Sequence, residues 1–170
     1  MKNVARRAMV TETAVPEKLT EGAAAPSFSL PADDGTVISL ETFQGAPFVL
    51  YFYPKDDTPG CTREAQAFQQ LLPQVQQVGA RIVGVSRDSG VRHQAFKTKY
   101  DLTFPLLSDP DARVHQAYGA WGTKKLYGKE TTGVLRTTIL VNGEGKIAKI
   151  FGNVRVDGHG EKVLAALAKL

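Results

Sequence analysis

The stretch FVLYFYPKDDTPGCTREAQAFQQLLPQVQQVGARIVGVS, Phe48 to Ser86, decides how this chain folds. It opens with six apolar residues, Phe48 to Tyr53, all but Leu50 aromatic or β-branched, bounded by Pro47 and Pro54. A short, continuous apolar run of this kind is a strand buried on both faces. It closes with a second such run, Arg81 to Ser86. Between them, Ala65, Phe68, Leu72 and Val75 recur at helical spacing. Thr58 suits the N-cap of that helix, Pro59 its first position and Gly79 the residue after its end, while Pro73 threatens a kink. Strand, helix and strand within about forty residues make a parallel pair with a right-handed crossover.

Upstream, Phe28 to Leu40 reads as a hairpin turning at Asp33-Asp34-Gly35. Downstream, helices are expected at Val91 to Tyr100 and Ala112 to Tyr118. Two strands, Thr137 to Val141 and Lys146 to Phe151, meet at Asn142-Gly143-Glu144-Gly145. A last helix runs from about Gly158 to Leu170, with Val163, Leu164, Leu167 and Leu170 inward. Lys124, Lys125 and Lys129 are read as a basic loop, and Phe104, Tyr118 and Trp121 as packing residues. This order predicts a single-domain α/β protein of the thioredoxin-like class, with an N-terminal hairpin and insertions. Residues 1–20 form a flexible extension in this reading, and residues 21–170 the domain.

Composition narrows the function. The chain has 170 residues, 42% hydrophobic and 22% charged, as a globular domain should. Its net charge is +4, half of it in the first twenty residues, and no basic stripe alternates with aromatics. Nucleic-acid binding is therefore not expected. The N-terminus lacks a secretory apolar core, and no apolar run is long enough to span a bilayer, so a cytoplasmic protein is expected. His93, His115 and His159 share no metal-like spacing, so neither metal nor cofactor is expected. Gly143-Glu144-Gly145-Lys146 lacks the frame of a phosphate loop, and Asp56-Asp57 has no third acid to complete a metal site.

One cysteine, Cys61, excludes an intrachain disulfide and a two-cysteine redox centre. It stands three residues after Thr58, in the first turn of the predicted helix. Unpaired backbone N–H groups there favour a thiolate. An ordinary thiol is only about 3% ionised at pH 7. A helix terminus supplies roughly 0.3–2 kcal/mol, too little to ionise it fully. A cation and direct hydrogen bonds are needed as well. The competing reading is a small buried apolar residue, but the flanks Asp56-Asp57-Thr58-Pro59-Gly60 and Thr62-Arg63-Glu64 are polar.

Pro54-x-x-x-Thr58-x-x-Cys61 resembles the P-x-x-x-[TS]-x-x-C signature of peroxiredoxins. The string YFYPKDDTPGCTRE, Tyr51 to Glu64, is similar to the peroxiredoxin Q, or bacterioferritin-comigratory, subfamily. The likeness extends to APSFSL, GVSRDS, FPLLSD and WGTKKLYGKETTGVLRTTILV, and omits only about the first twenty residues. The resemblance implies a thiol-dependent peroxidase of hydrogen peroxide and organic hydroperoxides. Cys61 would be the peroxidatic cysteine, passing through a sulfenic acid. Thr58 would donate its hydroxyl toward thiolate and peroxide, Pro54 would shield the site, and Arg136 would supply the cation. Glu64 would orient the arginine, or simply be an acid favoured near a helix N-terminus. Gly60 and Cys61 would offer backbone N–H groups.

Many members carry a resolving cysteine five residues after the first; here that residue is Gln66. The resemblance thus implies a one-cysteine cycle, with thioredoxin, glutaredoxin or a low-molecular-weight thiol as reductant, in a monomer or homodimer. A disulfide between two Cys61 residues would require two recessed sites to meet. A peroxide sensor or redox-regulated chaperone using the same cysteine, and a binding module with an inert thiol, are the competing functions.

Overall fold

The structure, a computed structural model, describes residues 18–170. Most of the extension read over 1–20 therefore lies outside the described residues. Of the remainder, Leu19 packs against the core.

The run Phe48 to Phe52 forms the central strand, β3, after a hairpin of β1 (Ser29–Pro31) and β2 (Val37–Ser39). All five β3 residues are buried. Phe48, Leu50 and Phe52 face one core, with Phe28, Ile38, Phe43 and Val85. Val49 and Tyr51 face the other, followed there by Tyr53, with Phe68, Ile82, Leu106, Leu140 and Val163. Full burial of such side chains contributes about 1.5–3 kcal/mol each, so this strand anchors both layers.

Helix α1 (Pro59–Gln77) carries the chain to β4 (Arg81–Ser86), parallel to β3 as expected. Pro73 sits inside α1 without dividing it, and Gly79 leaves the helix at φ +76°, a conformation glycine adopts without penalty. Helix α2 (Gly90–Tyr100) then leads to β5 (Leu106–Ser108), parallel to β4. A short α3 (Arg113–Ala117) precedes β6 (Trp121–Leu126) and β7 (Lys129–Val134), an antiparallel pair. Strands β8 (Thr137–Val141) and β9 (Ile147–Phe151) and helix α4 (His159–Leu167) complete the chain. The main sheet has the order β5-β4-β3-β8-β9, with β8 antiparallel to both neighbours.

Two sequence expectations need correction, and one strand has no counterpart in the sequence reading. Lys124, Lys125 and Lys129 lie on the β6–β7 hairpin rather than on a loop. This ribbon is largely exposed, so it carries no apolar alternation to read, and its turn uses left-handed Tyr127 and Gly128 at φ +53° and +78°. Strand β5 is absent from the sequence reading because three residues give no period. Leu170 lies past the end of α4 and is 54% exposed, not part of its inner face.

Candidate active site

The site forms where β3 ends and α1 begins. The pairing of Phe52 with Thr137 in β3 and β8 puts Arg136 beside the exit of β3. Residues 75 apart in sequence thereby meet: Arg136 Nη2 donates to Cys61 Sγ at 3.4 Å. The other guanidinium nitrogen, Nη1, donates to Glu64 Oε1 at 2.5 Å. Glu64 lies one helical turn after Cys61, so both project from the same face of α1. Cys61 and Glu64 are each only 2% exposed.

The electrostatics follow from this triangle. Burial pushes the Glu64 carboxyl up to about 7, against the opposing pull of Arg136. Burial also works against the charge on Arg136, but Glu64 and Cys61 outweigh it and hold the guanidinium above its ordinary value. Arg136 is thus a fixed cation beside the sulfur. A Cβ on Gly60 would stand 3.3 Å from Arg136 Nη2, closer than side chains ordinarily pack. Glycine at that position gives the guanidinium its room.

Thr58 caps α1 with extended backbone, at φ −101° and ψ 155°, but its side chain does not bond to the helix. Its hydroxyl donates to Lys55 O at 2.8 Å, not to the sulfur. The first-turn N–H groups of α1 are therefore left unoccupied by a cap, and the Thr58 oxygen keeps its lone pairs for an incoming donor. Pro54 is half-buried at the start of the loop, where it offers no N–H. The structure thus gathers Cys61, Arg136, Glu64 and Gly60 into direct neighbourhood, with Thr58 and Pro54 on the loop that leads in.

Two features escaped sequence reasoning. Asp56, read as part of a polar loop, is buried. It accepts from Tyr53 Oη at 2.5 Å and lies 2.6 Å from His93 Nδ1, while its own N–H donates to Asp88 Oδ2 at 2.9 Å. His93 Nε2 lies 3.0 Å from Leu107 O. This network ties the 54–58 loop to α2 and β5. No signal distinguishes such an acid from a solvated one except its position directly after a buried strand. Tyr51 is the second: its hydroxyl is buried with no hydrogen-bond partner, as is Glu64 Oε2. Burial, then Glu64 and Cys61, raise the phenol well above its usual range, so Tyr51 stays neutral.

The other histidines serve packing. His115 Nδ1 lies 2.6 Å from Asp109 Oδ2, and His159 Nε2 lies 2.8 Å from Thr138 Oγ1. Among the described residues, no three His, Cys, Asp or Glu side chains converge as metal ligands. Among them, too, no helix is long and apolar enough to cross a membrane.

A lone recessed thiol held by an arginine is set in a chain whose residues 22–150 match the family model AhpC/TSA. The chain belongs to the AhpC/TSA family. Within this family it stands with the Bcp, or peroxiredoxin Q, proteins. A bcp protein of Coxiella burnetii is 46% identical over 146 residues, 86% of this chain and 97% of the relative. The peroxiredoxin Bcp of Escherichia coli is 38% identical over 146 residues, 86% of this chain and 94% of its own. The structure of the Xanthomonas campestris bacterioferritin comigratory protein superposes with a TM-score of 0.82 at 41% identity, covering 89% of this chain and 96% of that one. As an AhpC/TSA protein with these relatives, the chain has the thioredoxin-like fold and is a thiol-dependent peroxidase.

Proposed function

We propose that Cys61 is the peroxidatic nucleophile of a one-cysteine cycle. The observation that carries this is the 3.4 Å contact from Arg136 Nη2 to the only thiol in the chain. The Cys61 thiolate attacks one peroxide oxygen in line. An S–O bond forms, the O–O bond breaks, and the second oxygen leaves with the bonding pair, taking a proton to become water or an alcohol. Arg136 and the first-turn N–H groups of Gly60 and Cys61 stabilise the charge on sulfur and on the departing oxygen. Glu64 holds Arg136 in place. Thr58, its proton committed to Lys55 O, accepts the hydrogen of the incoming hydroperoxide. Pro54 covers the loop side of the site. Organic hydroperoxides are substrates alongside hydrogen peroxide, supported by the alkyl peroxide reduction activity of the Xanthomonas campestris relative.

The product is Cys61 sulfenic acid. Gln66 occupies the position where many relatives carry a resolving cysteine, so an external thiol, whether thioredoxin, glutaredoxin or a low-molecular-weight thiol, completes the cycle. The protein acts in the cytoplasm as a monomer or homodimer. Residues 21–170 are the catalytic domain, preceded by an N-terminal extension over residues 1–20.

Cys61→Ser tests the assignment. The variant is expected to lose peroxide consumption completely while keeping its circular dichroism spectrum. Peroxide reduction at the wild-type rate would overturn it.

A further inference from the structure

Two successive acids precede Thr58, and helix α2 grips both. On the buried side, His93 Nδ1 meets Asp56 at 2.6 Å. Asp57 is exposed and meets the other end of the same helix. Lys99 Nζ donates to Asp57 Oδ2 at 3.0 Å and stands 3.3 Å from Oδ1, while Tyr100 Oη donates to Oδ1 at 2.8 Å. Tyr100 is half-buried and packs edge-on against buried Phe96, with ring centroids 5.5 Å apart, so its phenol has a fixed place. The hydrogen bonds from Lys99 and Tyr100 hold the Asp57 carboxyl below its ordinary value, and the bond to Asp57 holds the Lys99 ammonium above its own. The pair is therefore ionised throughout the neutral range.

Asp57 needs this grip. Its backbone is left-handed, at φ +61°, a region unfavourable to residues that carry a Cβ. It sits inside the turn Lys55-Asp56-Asp57-Thr58, which contains no glycine. The Thr58 hydroxyl closes that turn by donating to Lys55 O at 2.8 Å. The turn thus sets the direction of the Thr58 oxygen and the entry of α1, whose first residues include Gly60 and Cys61. Backbone preference alone does not hold this form; side chains on both sides of it do.

We infer that Asp57 is a positioning residue for peroxide reduction: Lys99 and Tyr100 clamp its carboxylate and lock the 55–58 turn in the form that sets Thr58 for the reaction at Cys61. This rests on Cys61 and Thr58 acting as proposed. An exposed ion pair adds little to global stability. Its effect is on placement, where small displacements cost much rate. The clamp also brings a property that the chemistry itself lacks. Hydrogen peroxide is neutral, so salt has no long-range attraction between enzyme and substrate to screen, and the Arg136–Glu64 pair is largely shielded from ions by burial. The Lys99–Asp57 pair, with side chains 58% and 40% exposed, is open to them. Peroxide reduction therefore slows as salt rises.

Single-turnover oxidation of Cys61 by hydrogen peroxide is to be followed by stopped flow in wild type, Asp57→Ala, Asp57→Asn and Lys99→Met. Asp57→Ala should slow it about tenfold, with Tm and the circular dichroism spectrum near those of wild type. Asp57→Asn should recover to within about threefold of wild type, because asparagine tolerates the left-handed backbone and still accepts from Tyr100. Lys99 is exposed, so Lys99→Met keeps the fold. Raising salt from about 0.05 M to about 0.5 M should slow wild type roughly threefold, and should leave Asp57→Asn and Lys99→Met, slower at the outset, unchanged. In a Thr58→Val background, Asp57→Ala should cost about twofold or less, since its effect passes through Thr58. A rate for Asp57→Ala within about twofold of wild type would overturn the proposal. So would asparagine as slow as alanine, an undiminished loss in the Thr58→Val background, or a salt response of Lys99→Met equal to that of wild type. If wild type gives no sulfenate on Cys61 by mass spectrometry, the peroxidatic reading falls and takes this one with it.

Discussion

Arg136 divides its guanidinium between Cys61 Sγ at 3.4 Å and Glu64 Oε1 at 2.5 Å, so one rigid fork fixes both the charge and the position of the reacting sulfur. Lysine could supply the charge but not the fork. Arg136→Lys is therefore expected to keep the fold and lower the second-order rate with peroxide by roughly 10²–10³, the usual effect of removing one donor aimed at developing charge. Stopped-flow peroxide reduction measures it, and a loss under threefold would count against the role given to Arg136.

Gly60→Ala should separate stability from activity. Gly60 has no left-handed backbone requirement, so alanine suits the helix and stabilises by up to about 1 kcal/mol. Its methyl would press on Arg136 Nη2 from 3.3 Å. A higher Tm together with about a tenfold loss of peroxide reduction is the expected pair of results.

Glu64 gives the protein a pH signature. Its carboxyl titrates near the ordinary 4.5 when unfolded and at about 7 when folded. Between those values the folded chain binds more protons than the unfolded one, so stability falls as pH rises through this window. The contribution is fully present below about 4.5 and lost above about 7, a change on the order of 3 kcal/mol. Glu64→Gln removes that titration. Urea unfolding of both proteins from pH 4 to pH 8 should show wild type losing stability relative to Glu64→Gln as pH rises.

Asp56→Ala should destabilise by roughly 2–4 kcal/mol, because it leaves Tyr53 Oη and His93 Nδ1 buried without their carboxylate partner. The loop it anchors carries Pro54 and Thr58, so peroxide reduction should fall as well. Denaturant unfolding and steady-state kinetics on one preparation test both outcomes.

Gln66→Cys introduces a thiol at the position where the family resemblance implies a resolving cysteine. Five residues along an intact helix separate the Cα atoms by about 8 Å, beyond disulfide reach. Peroxide should therefore join Cys61 to the introduced thiol only with local loss of helix in the first turns of α1. Mass spectrometry for the bond, and far-ultraviolet circular dichroism for the helix, are the two readouts.

The legible part of this molecule is the part whose burial is two-sided or strictly periodic. Phe48 to Tyr53, Arg81 to Ser86 and the apolar spacing of α1 are enough to set the parallel core. Cys61, Thr58 and Gly60 follow from their place at a helix start, and Arg136 comes with the family resemblance. That Glu64 and Arg136 pair across 72 residues comes from the resemblance as one of two readings of Glu64, not from local sequence, since only the Phe52–Thr137 register brings them together. The β6–β7 ribbon escapes because exposed strands need no apolar alternation. Asp56 escapes because a buried, satisfied acid has the same letters around it as a solvated one.

The depth of Cys61 has a temporal consequence. Cys61, only 2% exposed, sorts its visitors by girth, so its reactivity toward alkylating reagents should track their cross-section more than their electrophilicity. Hydrogen peroxide passes easily; a thiol, with its substituents, passes slowly. Where peroxide arrives faster than a thiol can enter, the waiting time accumulates on the oxidised side, and the standing population of the enzyme is the sulfenate, a record of recent exposure to peroxide.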